Sequence, residues 1–241
     1  KQLLSYEPWV TGSYEVRGHE VYYNNQPISK SNQPPANIKN VKKGTADVFL
    51  WLVYGLGIGS EKPDRIYHGW NRITDEFFNE LHYVSHFGLD FGTTSPTACV
   101  EVKHDGDNNF YVKKRLYKPL NNLSDALPTV LKKNIPMLTP ENNLVCDSAK
   151  LAYIDILLDA GYLAIPATKG PGSLESGITT CQSVNIHYVY DEELDNELTK
   201  YSFALDRYNK ATEVPVKKDD HLMDALRYII TYIVKYYSVR L

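Results

Sequence analysis

The sequence is short of cysteine, carries no excess of basic residues and contains no long hydrophobic run, and each shortage excludes a class of protein. Its three cysteines in 241 residues, Cys99, Cys146 and Cys181, are odd in number and far apart. That fits neither a disulfide framework nor a paired zinc site, and their apolar surroundings predict buried, reduced thiols in an intracellular protein. Lys plus Arg number 26 against 29 Asp plus Glu, a formal charge of -3. A polyanion would therefore have to be met by a local basic patch rather than by the field of the whole molecule. No apolar stretch reaches membrane length, and the opening Lys1-Gln2-Leu3-Leu4-Ser5-Tyr6 has no leader-like apolar region, so the chain is expected to be neither secreted nor anchored in a membrane. A Gly-x-x-x-x-Gly-Lys-Ser/Thr loop is also missing, which removes the usual phosphate cradle of a motor ATPase.

What is present suits a folded protein: 43% hydrophobic and 23% charged residues, enough to bury a core without staples. The length predicts one domain with an appendage or two small domains. Residues 14–23 alternate around an Arg17-Gly18 turn like a β-hairpin, and 24–35 read as loop. An apolar run from Asp47 to Ile58 ends among glycines, and Ile66-Tyr67-His68-Gly69-Trp70 follows. We assign residues 1–80 to an amino-terminal extension and 81–241 to the main domain. There, 83–91, 97–103 and 110–117 read as three strands of an antiparallel meander, with the Asp105–Asn109 turn joining the last two. Alternation follows: a helix over 122–133 weakened by Pro128, a strand at 144–146, a helix over 149–160 and a strand at 162–166. A glycine-rich loop at 169–172 then leads to a helix ending near Ser183, a strand at 185–190, an acidic helix over 191–200 read as a solvated face, and a last helix over 219–237. The fold class is α/β, a mixed sheet of five or more strands with helices on both faces.

Acidic residues carry the chemistry. Asp90, in Gly88-Leu89-Asp90-Phe91-Gly92, alternates with Phe87, Leu89 and Phe91 and so faces away from them, a costly place for an unpaired carboxylate. Asp147 follows the apolar Leu144-Val145-Cys146 and stands where α/β sheets open their crevices, although a helix N-cap is an equally good reading of its position. In Asp219-Asp220-His221-Leu222-Met223-Asp224-Ala225-Leu226-Arg227-Tyr228, His221, Asp224 and Tyr228 share one flank beside an apolar stripe, while Asp219 and Asp220 suit an acidic first turn. One carboxylate from the first strand, one from the end of the fourth and one from the last helix form a set that holds two hard cations, magnesium or manganese, for phosphodiester hydrolysis.

Gly88-Leu89-Asp90-Phe91-Gly92 with Pro96-Thr97-Ala98, Val145-Cys146-Asp147-Ser148-Ala149, Lys169-Gly170 with Gly177-Ile178, and the Asp220–Tyr228 motif together resemble the carboxy-terminal nuclease domain of the large terminase subunit of tailed bacteriophages. The likeness spans residues 83–237. It implies a ribonuclease H-like fold, with Asp90, Asp147 and Asp224 as metal-binding, catalytic aspartates and His221 near the metals as auxiliary ligand or proton acceptor. Asp220 is the substitute third ligand. It further implies cleavage of concatemeric double-stranded viral DNA during packaging, in the cytoplasm of an infected bacterial host, beside a small terminase subunit and a portal or procapsid. Residues 1–80 would then be the tail of the packaging ATPase domain with a linker, and the chain a piece of a longer polypeptide.

For the DNA backbone the candidates are Lys169 and Ser173, on a loop before a helix, with Lys217 and Lys218. Lys113, Lys114, Arg115, Arg207 and Lys210 are further basic candidates. Tyr201, Phe203 and Tyr208 read as wedges or as core. Two rival readings stand beside this one: an actin-like or heat-shock-chaperone-like ATPase that cradles phosphate with Asp90-Phe91-Gly92-Thr93-Thr94, and a DNA-docking module without catalysis whose acidic residues serve only as caps.

Overall fold

A computed structural model describes residues 3–18, 20–29, 31–58, 64–120, 123–206, 211–237 and 239. The chain forms two compact units, Lys1–Pro63 and Asp64–Leu241.

In the first unit, β1 (Glu15–Arg17) and β2 (Glu20–Tyr23) form the expected antiparallel hairpin, and β3 (Gln26–Pro27) adds to it. Asn24 and Asn25, both at positive φ, make the second turn, a conformation these short polar side chains tolerate. Two short helices follow, α1 (Ile38–Lys42) and α2 (Val48–Leu50), the latter running into a π-helical turn at Trp51–Gly55. Asn37 and Asp47 cap them by accepting backbone N–H groups, and Trp9, Val21, Trp51 and Ile58 form the core.

The second unit is built on a seven-stranded mixed sheet. Its elements are β4 (Asn71–Ile73), α3 (Asp75–Glu80), β5 (His86–Asp90), β6 (Pro96–His104), β7 (Asn109–Pro119), α4 (Leu123–Asn134), β8 (Asn143–Cys146), α5 (Leu151–Asp159), β9 (Leu163–Pro166), α6 (Ser173–Gln182), β10 (Asn185–Val189), α7 (Glu192–Lys200), the small ribbon β11 (Phe203–Leu205) with β12 (Ala211–Pro215), and α8 (His221–Tyr236). Strand order is β4-β10-β7-β6-β5-β8-β9. The meander β5-β6-β7 is antiparallel, and β8, β9, β10 and β4 join in parallel.

Period-two alternation divides the core between the two faces. Phe87 and Leu89 of β5, Cys99 of β6 and Leu144 and Cys146 of β8 pack with Leu127, Leu131 and Ile135 of α4 and with Ile154 and Leu157 of α5. Ala98, Val100 and Val102 of β6 and Val145 of β8 point the other way, into a cluster with Ile178 of α6, Leu194 and Leu198 of α7 and the apolar stripe of α8. Burying these aliphatic and aromatic side chains, at about 1.5–3 kcal/mol each, is what holds helices to both faces. The three cysteines are buried and unpaired.

Three expectations change. Residues 64–80 are built into the larger unit rather than the extension: β4 pairs with β10, and α3, capped by Thr74, buries Phe78 completely. The ribbon β11-β12 occupies what had no strand signal. The acidic helix is not merely a solvated face. Asp191 caps α7 and pairs with Lys114, Asp195 pairs with Arg72, and Glu197 is 1% exposed.

Candidate active site

Helix α8 delivers two of the acidic candidates to the end of β5, and a glycine sets how closely it does so. A Cβ built on Gly88 would stand 2.0 Å from the Ala225 carbonyl oxygen. Leu222, Leu226, Ile229, Ile230 and Ile233 are fully buried along the helix, so the flank bearing His221, Asp224 and Tyr228 turns toward the strand ends. The first turn of α8 is capped by Glu197, whose Oε2 accepts the N–H groups of Leu222 at 2.7 Å and Met223 at 3.3 Å. Asp220, in the N-cap position, makes no side-chain cap hydrogen bond. The cap thus comes from α7, not from the aspartates before the helix.

Asp90 ends β5, 8% exposed, with its Oδ2 2.9 Å from Nδ1 of His221. Burial raises its pKa, the hydrogen bond from His221 opposes that, and the charges of Asp224 and Asp147 push it up further. The same hydrogen bond raises the pKa of His221 against the effect of burial. Asp147 follows β8, its N–H held by the Leu89 carbonyl oxygen at 2.9 Å. Its Oδ1 accepts from Ala149 N–H at 2.9 Å, which is the capping role, and also takes the ammonium of Lys169. Asp224 receives Arg227 Nη2 at 2.6 Å and the Tyr228 hydroxyl at 3.4 Å. Asp220 is half-buried, its pKa raised by burial and then by Asp224.

Each of the three aspartates therefore has a cationic neighbour of its own: His221 for Asp90, Lys169 for Asp147 and Arg227 for Asp224. Among the described residues no group of three or more His, Cys, Asp or Glu side chains is close enough to hold a metal ion as it stands. Three carboxylates around a half-buried cleft repel one another, and the chain supplies the countercharge from its own side chains. Tyr228 faces all three. Its phenol pKa is pushed up by burial first, then by Asp224, Asp90 and Asp147 in turn. The donors, three carboxylates and an imidazole, suit a hard divalent cation once the ion pairs open.

Lys169, Ser173 and Lys217 line one cleft of about 320 Å³ together with Asp220, Asp224 and Tyr228; Lys218 does not line it. Ser173 Oγ accepts the Gly170 N–H at 3.1 Å. The strand β7 cations are spent internally: Lys113 on Asp75, Lys114 on Asp191 and Glu193, Arg115 on Glu101. Arg207, Tyr208 and Lys210 lie outside the described residues. Tyr201 is buried beside Tyr67, and Phe203 packs on the same core, so neither is a wedge. The Asp90–Thr94 loop is closed on itself: Thr97 Oγ1 takes the Gly92 N–H at 3.0 Å and donates to the Gly92 carbonyl at 2.8 Å. That spends the backbone group a phosphate loop would offer and weighs against the ATPase reading. Sequence reasoning gave no role to Arg227, Tyr228 or Glu197. The first two stood in the quoted motif, and Glu197 was marked only by its place between Leu194 and Leu198 on the apolar side of α7.

No protein-family model and no curated protein matches the sequence. Solved structures do. The nuclease domain of g2p, the large terminase of bacteriophage SPP1, determined with bound Mn, superposes with a TM-score of 0.56 at 24% identity over 66% of this chain and 92% of that one. The nuclease domain of the P22 large terminase superposes at 0.53, with 20% identity over 72% and 93%. A large terminase from a thermophilic bacteriophage gives 0.59 at 18% identity, covering 88% of this chain. The chain spans about half of that protein, 53% of its length. The class defined by these likenesses is the ribonuclease H-like α/β fold. Within it, the chain has the fold of large terminase nuclease domains. No helix among the described residues is long and apolar enough to cross a membrane.

Proposed function

We propose that the chain is the nuclease part of a phage large terminase, a divalent-metal-dependent endonuclease that cuts concatemeric double-stranded viral DNA during genome packaging. One observation carries the reading: Asp90, Asp147, Asp224 and His221 gather at the ends of β5, β8 and α8, on the fold of a nuclease domain whose structure was solved with bound Mn. Two magnesium or manganese ions would be held by Asp90, between them, and by Asp147 and Asp224, with His221 as auxiliary ligand or proton acceptor. When bound, the ions supply charge stabilisation and a nucleophilic water.

The chain's own residues do the rest. Lys169 and Arg227 neutralise Asp147 and Asp224, and become free for phosphate oxygens once those carboxylates are engaged. Lys169, Ser173, Lys217 and Lys218 hold the DNA backbone without reading sequence, so binding weakens steeply with salt. The small terminase subunit and the portal are the expected partners of the longer protein, with residues 1–63 as the tail of its ATPase domain and linker. Plasmid cleavage in manganese, magnesium and chelator tests the reading: nicking or linearisation with metal, none in chelator, and none from Asp90→Asn. A protein that binds DNA but leaves plasmid intact in both metals is the docking module instead.

A further inference from the structure

Beside the acidic cleft lies a second, smaller cavity of about 80 Å³, bounded by the end of β9, the start of α6 and α8. No carboxylate lines it; its polar lining comes from Thr168, Ser173, Arg227, Tyr228, Thr231, Tyr232, Lys235 and Tyr236. Two buried polar atoms on this lining, Arg227 Nε and Thr231 Oγ1, have no hydrogen-bond partner. That is a costly arrangement unless something else occupies the space.

Neither atom is idle by accident of geometry. A helical threonine ordinarily returns its hydroxyl to the carbonyl one turn back, as Thr179, Thr180 and Thr199 do here on Glu175, Ser176 and Asp195. Thr231 makes no such bond. Arg227 is held by its stem, since a Cβ on Gly177 would lie 2.8 Å from its Cγ and Cδ, and by Nη2 on Asp224. The pinned guanidinium leaves Nε over, beside an exposed ammonium on Lys235. An acid-free pocket with a guanidinium N–H, a hydroxyl and a nearby ammonium is built for a tetrahedral oxyanion.

We propose that this cavity is a phosphate subsite, and that it takes a DNA backbone phosphate flanking the one to be cut. The placement rests on the nuclease reading, because Arg227 links the two sites: one nitrogen on Asp224 in the acidic cleft, the other on the phosphate. The subsite fixes the strand relative to Asp224, a positioning role that reads out in substrate binding rather than in the chemical step.

The test uses the full chain with Thr231→Val, Lys235→Ala and their double variant, all outside the acidic set. First, thermal midpoint is followed against inorganic phosphate in chelator. Phosphate should raise the midpoint of the parent protein and not that of the double variant. Second, anisotropy with a short labelled duplex in chelator should show affinity about tenfold lower for the double variant. Third, KM for cleavage in manganese should rise by the same factor with kcat unchanged. Parent and double variant responding alike to phosphate, and binding the duplex alike, overturns the subsite: the cavity then holds only water. Phosphate binding that is lost in the variant while duplex affinity is unchanged overturns its assignment to DNA and leaves a site for a free anion. If no metal supports cleavage yet phosphate and duplex binding both weaken, the nuclease reading fails and the subsite stands.

Discussion

Gly88 and Ala225 meet backbone to backbone: a side chain at Gly88 would put its first carbon 2.0 Å from the Ala225 carbonyl oxygen and 2.9 Å from Cγ2 of Ile229. This contact sets the distance between β5, which carries Asp90, and α8, which carries His221 and Asp224. Replacing Gly88 by Ala should cost about 1–3 kcal/mol, the usual range for overpacking a closed core. Because the helix must move as a body, cleavage should fall further than stability does, by about 100-fold for an ångström of displacement. Thermal melting and plasmid cleavage on the same preparation check it. An unchanged midpoint and rate would mean that α8 is positioned by something other than this contact.

Glu197 makes a different demand, because its buried carboxyl has a pKa raised by burial to about 7. In the unfolded chain a glutamate titrates near 4.3. Between these values the folded state holds more protons than the unfolded one, so this group's stabilisation is complete below about pH 4.3 and is lost as pH rises through 7. Glu197→Gln keeps an oxygen for the N–H groups of Leu222 and Met223 and removes the ionisation. Its midpoint should exceed the parent's at pH 8, and the gap should close by pH 5. Glu197→Leu leaves two helix N–H groups unsatisfied and should cost about 1–3 kcal/mol at either pH. If Gln and Leu behave alike, the cap has no role in holding α8.

Much of this arrangement is legible in the sequence, and what is not has identifiable physical causes. The meander and the alternation after it can be read because Phe87, Leu89, Val100 and Val102 keep period two and Leu222, Leu226, Ile229 and Ile233 keep the helical period. The position of Asp90 on the face opposite Phe87 and Leu89 follows from the same alternation, and the structure places it there. The strand β4 escapes such a reading because three residues, Asn71–Ile73, carry no period of their own and are strand only through pairing with β10. Glu197 reads as solvated because charge composition says nothing about which side chain of an acidic helix turns inward. The pairing of Lys169 with Asp147 joins residues from two different strand ends, and no local signal reports such a contact.

His86 should impose the opposite pH dependence on stability. It is 1% exposed, receives Asn143 Nδ2 at 3.1 Å on Nδ1 and stacks on His104, and burial with the neighbouring His104 lowers its pKa to about 4. An unfolded histidine titrates near 6.5. Between pH 4 and 6.5 the unfolded state therefore binds more protons, and stability falls on acidification by at most about 1.4 kcal/mol per pH unit. His86→Gln should show a shallower acid loss than the parent, and Glu197→Gln a steeper one, because removing one titration uncovers the other. Midpoints at pH 5, 6 and 8 for the three proteins check this. Parallel curves for all three would show that neither group titrates across the unfolding transition as the structure requires.

The aspartates separate catalysis from stability. Asp90→Asn, Asp147→Asn and Asp224→Asn should each abolish plasmid cleavage, since each removes a charge the metals need while keeping side-chain shape. Their effects on the metal-free fold should differ, because the three carboxylates have different partners. Asp90 is buried with a raised pKa, so its amide should be neutral or mildly stabilising at neutral pH. Asn at 147 still caps Ala149 and loses only a Lys169 whose side chain is 38% exposed, at a cost under about 1 kcal/mol. Asn at 224 leaves the Arg227 guanidinium, 8% exposed, without its countercharge, and should cost about 1–3 kcal/mol. Manganese should raise the midpoint of the parent and of Asp220→Asn but not of Asp90→Asn, because only a protein that binds the ion gains stability from it. Midpoints with and without manganese, beside cleavage, decide the case for all four. Normal cutting by Asp224→Asn with a dead Asp220→Asn would move the third ligand back one turn of α8. Cutting by all four would remove the two-metal reading altogether.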